Sequence, residues 1–498
     1  MRAELPAVVD AASVAAWSDE VDVVVVGFGI AGGCAALEAA RAGARVVLLE
    51  RAATHGGTSA LSGGHFYLGG GTPVQQATGH PDSAEEMLRY LTAASREPEP
   101  EKLRAFCDDS VEHFGWLEAL GFAFERSYYP EKAVIQPGTQ GLMFTGNEKV
   151  WPFLEQAVPA PRGHKVPVPG DTGGTAMVMD LLARQVAEAG VDVRFETGAT
   201  NLVVADGEVV GVAWRHFRET GTMRAGAVVL AAGGFVMNHE MVEEFVPQLG
   251  SRLMPLGSTY DDGLGIRLGA SVGAELKHMD QAFITAPVYP PSQLLTGIIV
   301  NNRGERFVAE DSYHSRTSGF VMDQPDRAAW LVVDSEHIEH PDFPLCPFVD
   351  GWETVAEMEQ ALGIPAGRLE ATLERYNANA ARGEDPDFHK QPAWLEPQDH
   401  GPWGAYDLSL GKALYAGFTV GGMRTSVDGE VLRPDGSTVP GLYAAGACAS
   451  TLAQDGKGYA SGTQLASGSY FGRRAGRRAG ARADERAGHG AGRQLTDG

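Results

Sequence analysis

Four valines, Val23 to Val26, run into glycine, and two more glycines follow at fixed spacing, so that Gly27, Gly29 and Gly32 spell G-x-G-x-x-G. After an apolar strand and before an Ala/Leu-rich helix, that pattern can cradle the pyrophosphate of a dinucleotide. Gly27 permits a tight turn, Gly29 lets the backbone approach phosphate, and Gly32 lets helix and strand pack closely, with Ala31 in the same turn. The helix N-terminus then offers unpaired N–H groups and the positive end of its dipole to an anion. A second apolar run ends on Glu50, 18 residues after Gly32, where a carboxylate can accept from a ribose hydroxyl. Strand, glycines, helix, second strand and terminal acid agree on one nucleotide-binding βαβ unit from about Val21 to Glu50.

The elements around this unit follow from local pattern. A glycine-rich loop runs from His55 to Gly71, and helical, charged sequence covers about Asp82 to Leu120. Residues Tyr128 to Gly170 are rich in Pro, Gly and aromatics and read as an irregular cover. Apolar positions at three and four spacing predict a helix over Thr175–Gly190. Strand-like runs follow, with Asp206-Gly207 as a hairpin turn, and the run to Phe235 ends in the pair Gly233-Gly234. From about residue 280 to 413 the chain holds more Pro, Trp and charge and no second dinucleotide fingerprint. Glycine and short strands return from Phe418. The fold expected is α/β with an α+β insert: a Rossmann-like nucleotide domain in two sequence segments, 1–278 and 414–476, with a substrate domain at 279–413 between them. The Ala/Gly/Arg-rich stretch 477–498 predicts a disordered tail.

Composition narrows the function. Hydrophobic residues make up 44% of 498, enough for a large core. The formal net charge of −24 argues against nucleic acid or an anionic membrane as main partner. Four scattered cysteines form no C-x-x-C, so neither a disulfide framework nor a metal site is expected, and a reducing cytoplasm fits. No signal peptide and no membrane span is expected.

Four further segments carry a resemblance: GGTSALSGG (Gly56–Gly64), VVLAAGGF (Val228–Phe235), RGERFVAEDSYHS (Arg303–Ser315), and the closing stretch from VPGLYAAGACAS to GYASGTQLASGSYFGRRAG (Val439–Gly476). In this order they resemble the FAD-binding fumarate reductase/succinate dehydrogenase flavoprotein superfamily, across nearly the whole of Val21 to Gly476. The resemblance implies FAD held along its length. Thr58 and Ser59 would donate hydroxyls to the pyrophosphate. Gly57, Ser62, Gly63 and Gly64 would lie along the cofactor, the last three beside the isoalloxazine. Gly462, Thr463, Gln464 and Leu465 would open a helix whose N–H groups face the flavin pyrimidine. Arg51, Ala199, Ala232, Gly233, Asp262 and Gly446 complete the expected contacts. A flavin-linking histidine of some members would fall at Gly57, with His55 two positions away, so non-covalent FAD is expected.

Within that superfamily the dicarboxylate enzymes neutralise their substrates with Arg and His. Those positions are His314, Gly417 and, loosely, Ile284–Pro287 here, with Arg316 as the only compensating cation. A dianion among neutral groups would suffer a large desolvation cost. The segment GYASG is similar instead to 3-ketosteroid Δ4-(5α)-dehydrogenases, in which a Tyr-x-Ser pair and a second Tyr face the substrate. That implies Tyr459, Ser461 and Tyr313 as catalytic groups and a 3-keto-5α-steroid as substrate. Tyr459 with the Gly462 region would polarise the ketone, Ser461 assisted by Tyr313 would take the α-proton, and flavin would take the hydride. The roles of Tyr459 and Ser461 are exchangeable at this stage. Tyr128, Tyr129 and Phe144 either line the pocket or are aromatics of the cover. The alternatives are a Δ1-dehydrogenase, a fumarate-reductase-like enone reductase, or a binding scaffold of the Rab-escort and GDP-dissociation-inhibitor type. A quinone or carrier is the expected electron acceptor.

Overall fold

Val23 and Val25 point into one hydrophobic cluster and Val24 and Val26 into another, so the valine strand is buried on both faces. That is the requirement for the interior of a parallel sheet, and it explains a continuous apolar run in place of an alternating one. In the computed structural model, which describes residues 3–134, 136–170, 173–247, 252–285, 291–341 and 345–494, with backbone alone from 484, this strand is Asp19–Val26. It lies between Glu219–Leu230 and Val46–Leu49 and runs parallel to both, and Asp192–Arg194 adds a further parallel strand. Thr438–Ala444, from the far end of the chain, enters beside Glu219–Leu230, with Val228 opposite Leu442. The nucleotide sheet is therefore completed by two distant parts of the sequence.

The strands Thr197–Ala205 and Glu208–His216 lead antiparallel into Glu219–Leu230. Their turn is Asp206-Gly207, with φ of 50° and 79°, the left-handed conformations that an Asp-Gly hairpin turn requires. The helix expected over Thr175–Gly190 spans Gly174–Glu188. The charged stretch resolves into three helices, Ala84–Ala94, Pro100–Asp108 and Ser110–Ala119. The cover forms only short elements, among them Leu142–Met143 and Gly163–Lys165, which pair beside His65–Tyr67.

The first helix, Ile30–Arg41, packs along the last, Thr463–Gln494, through small residues. A Cβ on Gly472 would sit 2.4 Å from the Ala31 carbonyl oxygen, and one on Gly476 would sit 2.1 Å from that of Ala35. The two backbones touch directly, as small-residue spacing of four allows. Within the stretch expected as a tail, the helix continues to Gln494, Ala479 and Ala483 are buried, and Arg482 pairs with Glu208; residues 495–498 lie outside the described residues. Composition suggested a solvated tail, whereas the alanines supply a packing face.

The middle of the chain forms an antiparallel sheet ordered Ile298–Asn301, Ala329–Asp334, Trp403–Asp407, Phe348–Trp352. Helices Val355–Leu362 and Arg368–Ala380 cover it around Met358, Leu369 and Tyr376. A smaller sheet joins Leu253–Pro255, Tyr415–Thr419 and Ala282–Thr285, and places Phe283 directly opposite Phe418. All four cysteines are buried free thiols. Among the described residues no helix is long and apolar enough to cross a membrane.

Candidate active site

The glycine turn leaves no room for side chains where backbone must approach a ligand. A Cβ on Gly27 would sit 2.5 Å from the Ala231 carbonyl oxygen, and one on Gly32 would sit 1.9 Å from that of Gly27. Glu50 closes the turn from below. Its two carboxylate oxygens accept from the N–H groups of Phe28 and Ala52, both at 2.7 Å. Each oxygen keeps a lone pair, so ribose recognition is compatible with this structural task. Ser59 Oγ accepts from the Ile30 N–H at 3.1 Å, at the start of the first helix, and retains its own proton for an anion there. Helix terminus, bare backbone at Gly29 and a donor hydroxyl fit a pyrophosphate.

Thr58, expected to donate to the pyrophosphate, is bonded here to the loop that follows Pro255. Its hydroxyl donates to Asp261 and accepts from the Ser258 N–H at 2.8 Å, so it ties the 258–262 loop to the cradle. Asp261 was missed beside its neighbour Asp262. Burial raises the Asp261 carboxyl to about 6, against the lowering effect of the Thr58 hydrogen bond. It fills the space in front of Gly233, where a Cβ would lie 2.0 Å from its Oδ1. Asp262 instead pairs with Arg51 at 2.8 Å, and the Arg51 guanidinium lies 4.3 Å from the centre of the Tyr260 ring. The Arg51 stem also rests against Gly198, next to the buried Ala199, which gathers one end of the cleft.

At the other end, Ser62 bonds Thr175 at 2.6 Å, and Gly174 backs onto Gly63, whose carbonyl oxygen a Cβ there would approach to 2.4 Å. Gly64, at φ 86°, leaves room for Val166. Gly462 has φ 95° and faces His65–Tyr67, its carbonyl accepting from Tyr67 N–H at 3.1 Å. Gly446, at φ 66°, opens the turn after Thr438–Ala444 against Ala31, while Ala232 N–H donates toward Cys448 Sγ at 3.1 Å. Thr463, Gln464 and Leu465 start the long helix. At Gly57 there is no side chain, and His55 turns toward Asp180 at 3.5 Å and the Phe28 ring at 5.5 Å. At these glycines and helix ends, backbone approaches backbone closely, which suits the contacts that the family's cofactor requires.

The three hydroxyl residues come together through Tyr313, which contacts Ser461 and shares an apolar cluster with Tyr459. Tyr313 Oη and Ser461 Oγ are 2.5 Å apart, although they lie 148 residues apart in sequence. Tyr313 sits at the N-cap of helix His314–Met322. Its approach is held by Arg306, which pairs with Glu310 at 2.8 Å and Asp385 at 3.0 Å in a buried cluster. Burial raises the Tyr459 phenol far above its ordinary value, against a smaller lowering effect of the Gln464 backbone. Tyr313 and Tyr459 share an apolar cluster with Phe283, Val420 and Ala453, flanked by Leu256 and Phe418. The Phe283 and Phe418 rings stack at 4.8 Å, and Phe283 lies 4.6 Å from Tyr459.

Near this cluster, two of the positions expected to carry cations are uncharged. A Cβ at Gly417 would meet the Phe283 carbonyl oxygen at 2.1 Å, so strand pairing excludes a histidine there. His314 is buried, bonded to Thr285 at 3.1 Å, and held neutral: burial, reinforced by Lys132, lowers its ring to about 3. Arg316 lies 5.0 Å from both the Phe153 and Phe320 rings. Of the loosely matching stretch Ile284–Pro287, Ala286 and Pro287 lie outside the described residues. Tyr128 packs on His80 at 4.1 Å and on Phe144 at 6.4 Å, and Tyr129 reaches Glu131 at 3.4 Å, which places these aromatics in the cover and outside the Tyr313 cluster. Phe283 and Phe418 were not anticipated. Their only signal was position in two short strands whose partners lie far apart in sequence.

Comparison with known proteins agrees with this geometry. The family profile described as an FAD binding domain matches residues 22–467. The chain is 40% identical to 3-ketosteroid-Δ4-(5α)-dehydrogenase from Rhodococcus jostii RHA1, whose crystal structure contains 4-androstene-3,17-dione; the match has a TM-score of 0.89 and covers 96% of this chain and 100% of that one. It is 30% identical over 452 residues to urocanate reductase of Eggerthella lenta, covering 86% of this chain and 69% of that relative. It is 28% identical over 501 residues to 3-oxo-5-alpha-steroid 4-dehydrogenase of Comamonas testosteroni, covering 86% and 93%. With FAD as its cofactor, the chain is an FAD-dependent oxidoreductase that belongs to the FAD-binding-domain family of the fumarate reductase/succinate dehydrogenase flavoprotein superfamily.

Proposed function

We propose that the protein oxidises a 3-keto-5α-steroid to the 4-ene-3-one, with Tyr313, Ser461 and Tyr459 as its catalytic residues. The observation that carries this reading is the Tyr313–Ser461 contact of 2.5 Å inside an aromatic cluster that also holds Tyr459. Bound FAD, held non-covalently, supplies the hydride acceptor for the β-hydrogen. The chain's own residues handle the ketone and the proton. Tyr459, a buried phenol held in its neutral form, donates to the carbonyl oxygen as enolate character develops. Ser461 receives the α-proton and passes its own to Tyr313, which must enter the step as phenolate for the proton count to close.

The walls suit an apolar ketone. Stacked Phe283 and Phe418 present flat carbon surface, and the groups that could neutralise a diacid are missing at Gly417 and uncharged at His314. The similarity to two steroid dehydrogenases supports the same substrate class. The urocanate reductase relative keeps an enone reductase as the competing reading.

The test is anaerobic addition of a 3-keto-5α-steroid to the yellow protein. Loss of oxidised-flavin absorbance with recovery of a 4-ene-3-one is the expected result. A 1-ene product would move the reading to Δ1 chemistry. No bleaching, together with reoxidation of the pre-reduced protein by fumarate, would overturn it in favour of the dicarboxylate branch. Tyr313→Phe should lower turnover by about 10³-fold with FAD retained, a loss typical of a removed proton acceptor.

A further inference from the structure

The two members of the hydroxyl pair are 148 residues apart in sequence, and each stands at the start of a different helix. Neither helix by itself sets their separation. A third segment, Thr145-Gly146-Asn147, lies between them and bonds to both. Asn147 Oδ1 accepts from the Tyr313 N–H at 2.9 Å. The Thr145 carbonyl accepts from the Ser461 N–H at 2.8 Å, and Thr145 Oγ1 donates back to the Ser461 carbonyl at 3.0 Å.

The segment is itself immobilised. Asn147 is fully buried. Its N–H donates to Tyr90 Oη at 2.9 Å, and its Nδ2 donates to the Lys457 carbonyl at 3.4 Å. Only one orientation of the amide satisfies both the Tyr313 N–H and the Lys457 carbonyl. At Gly146 a Cβ would lie 2.7 Å from Tyr90 Oη and 2.8 Å from Ala460 Cβ, so the segment is wedged as well as bonded. Gly146 N–H donates to Glu148 Oε2 at 3.0 Å, and Glu148 Oε1 accepts from Tyr67 Oη at 3.0 Å. Tyr67 belongs to the strand that meets Gly462. The wedge is therefore referenced to the same element that backs the cofactor cleft.

We infer that Thr145 and Asn147 are positioning residues that set the Tyr313–Ser461 contact, with Asn147 the dominant one. The inference rests on the reading of that pair as the proton-accepting group. Proton transfer between hydroxyls needs hydrogen-bond contact, and displacement by about 1 Å costs on the order of 10²-fold in rate. Asn147 touches neither reacting hydroxyl. It acts on Tyr313 through the backbone.

The test uses the FAD-loaded protein. Asn147→Ala should lower kcat at least 30-fold, change KM less than threefold, retain FAD, and move the kcat–pH limb of the proton acceptor. Thr145→Val removes one hydroxyl at constant shape and should lower kcat several-fold, while Thr145→Ser restores it to within twofold. Asn147→Ala with kcat within twofold and an unmoved pH limb overturns the inference. Where Asn147→Ala fails to fold, equal kcat for Thr145→Val and Thr145→Ser overturns it instead. A second readout needs no substrate: in protein carrying [13Cζ]tyrosine, the Tyr313 resonance, assigned with Tyr313→Phe, should shift in Asn147→Ala and in Thr145→Val but stay in Thr145→Ser. A wild-type protein inert to every 3-ketosteroid, with that shift still present, sinks the steroid reading and leaves the positioning role. An active wild type with no shift sinks the positioning role alone.

Discussion

At the nucleotide end of the cleft, the fit is made by atoms that are missing. Gly27, Gly29 and Gly32 are adjacent in sequence, and their task is to let backbone touch backbone or ligand. At the hydroxyl end, the fit is made by atoms that are present: Tyr313, Ser461, Asn147 and Thr145 each contribute a polar atom at a set distance, within walls of Phe283 and Phe418. The first region should fail when atoms are added and the second when atoms are removed. The first should fail by losing the fold and cofactor together, the second by losing chemistry with cofactor in place.

The sharpest way to break this contrast is Gly32→Val. Its Cβ would begin 1.9 Å from the Gly27 carbonyl oxygen, so the strand–helix contact must open. We expect a loss of more than about 4 kcal/mol and no recoverable flavin-loaded protein, seen as absent yellow colour and a lowered unfolding midpoint. A stable, FAD-loaded Gly32→Val protein would remove the steric account of the cradle. Tyr313→Phe comes next: its expected rate loss corresponds to about 4 kcal/mol of barrier with flavin absorbance intact.

The two regions also titrate in opposite directions. His314 has a folded value of about 3 against 6.5 unfolded, so it is neutral when buried and the unfolded chain binds the proton first on acidification. Its contribution is complete above pH 6.5 and is lost as pH falls toward 3, about 3 kcal/mol by pH 4. His314→Gln should lose less stability than wild type between pH 7 and pH 4, measured by urea midpoints at fixed FAD. Asp261 has a folded value of about 6 against 3.8, so the folded protein holds the proton longer. Its contribution is complete below pH 3.8 and is lost as pH rises through 6, about 3 kcal/mol in all. Asp261→Asn should therefore gain on wild type between pH 4 and pH 7. Parallel pH curves for either variant and wild type would mean the buried group does not titrate as its surroundings dictate.

The nucleotide half was largely legible because its requirements are local. A buried parallel strand needs a continuous apolar run, a tight turn needs glycine, and Asp-Gly suits a left-handed hairpin turn, all within a few residues. Thr58 shows the limit: its type and place suggested phosphate, but its proton goes to Asp261, a residue 203 positions away. The tail shows another. Alanine and glycine at four-residue spacing read as low complexity until a partner helix is known, and then become a packing face.

By itself the sequence determined the βαβ unit, the acid that closes it, the family motifs and the absence of an arginine at His314, since each is a statement about residue type at a fixed local offset. Only the tertiary structure decided that Tyr313 meets Ser461, that Phe283 stacks on Phe418, that Gly417 has no space for a histidine, and that Asn147 holds one side of the pair while Thr145 holds the other. Those contacts depend on how distant segments close on one another, and the closure is set by strand pairing and packing summed over the whole chain, which no local pattern encodes.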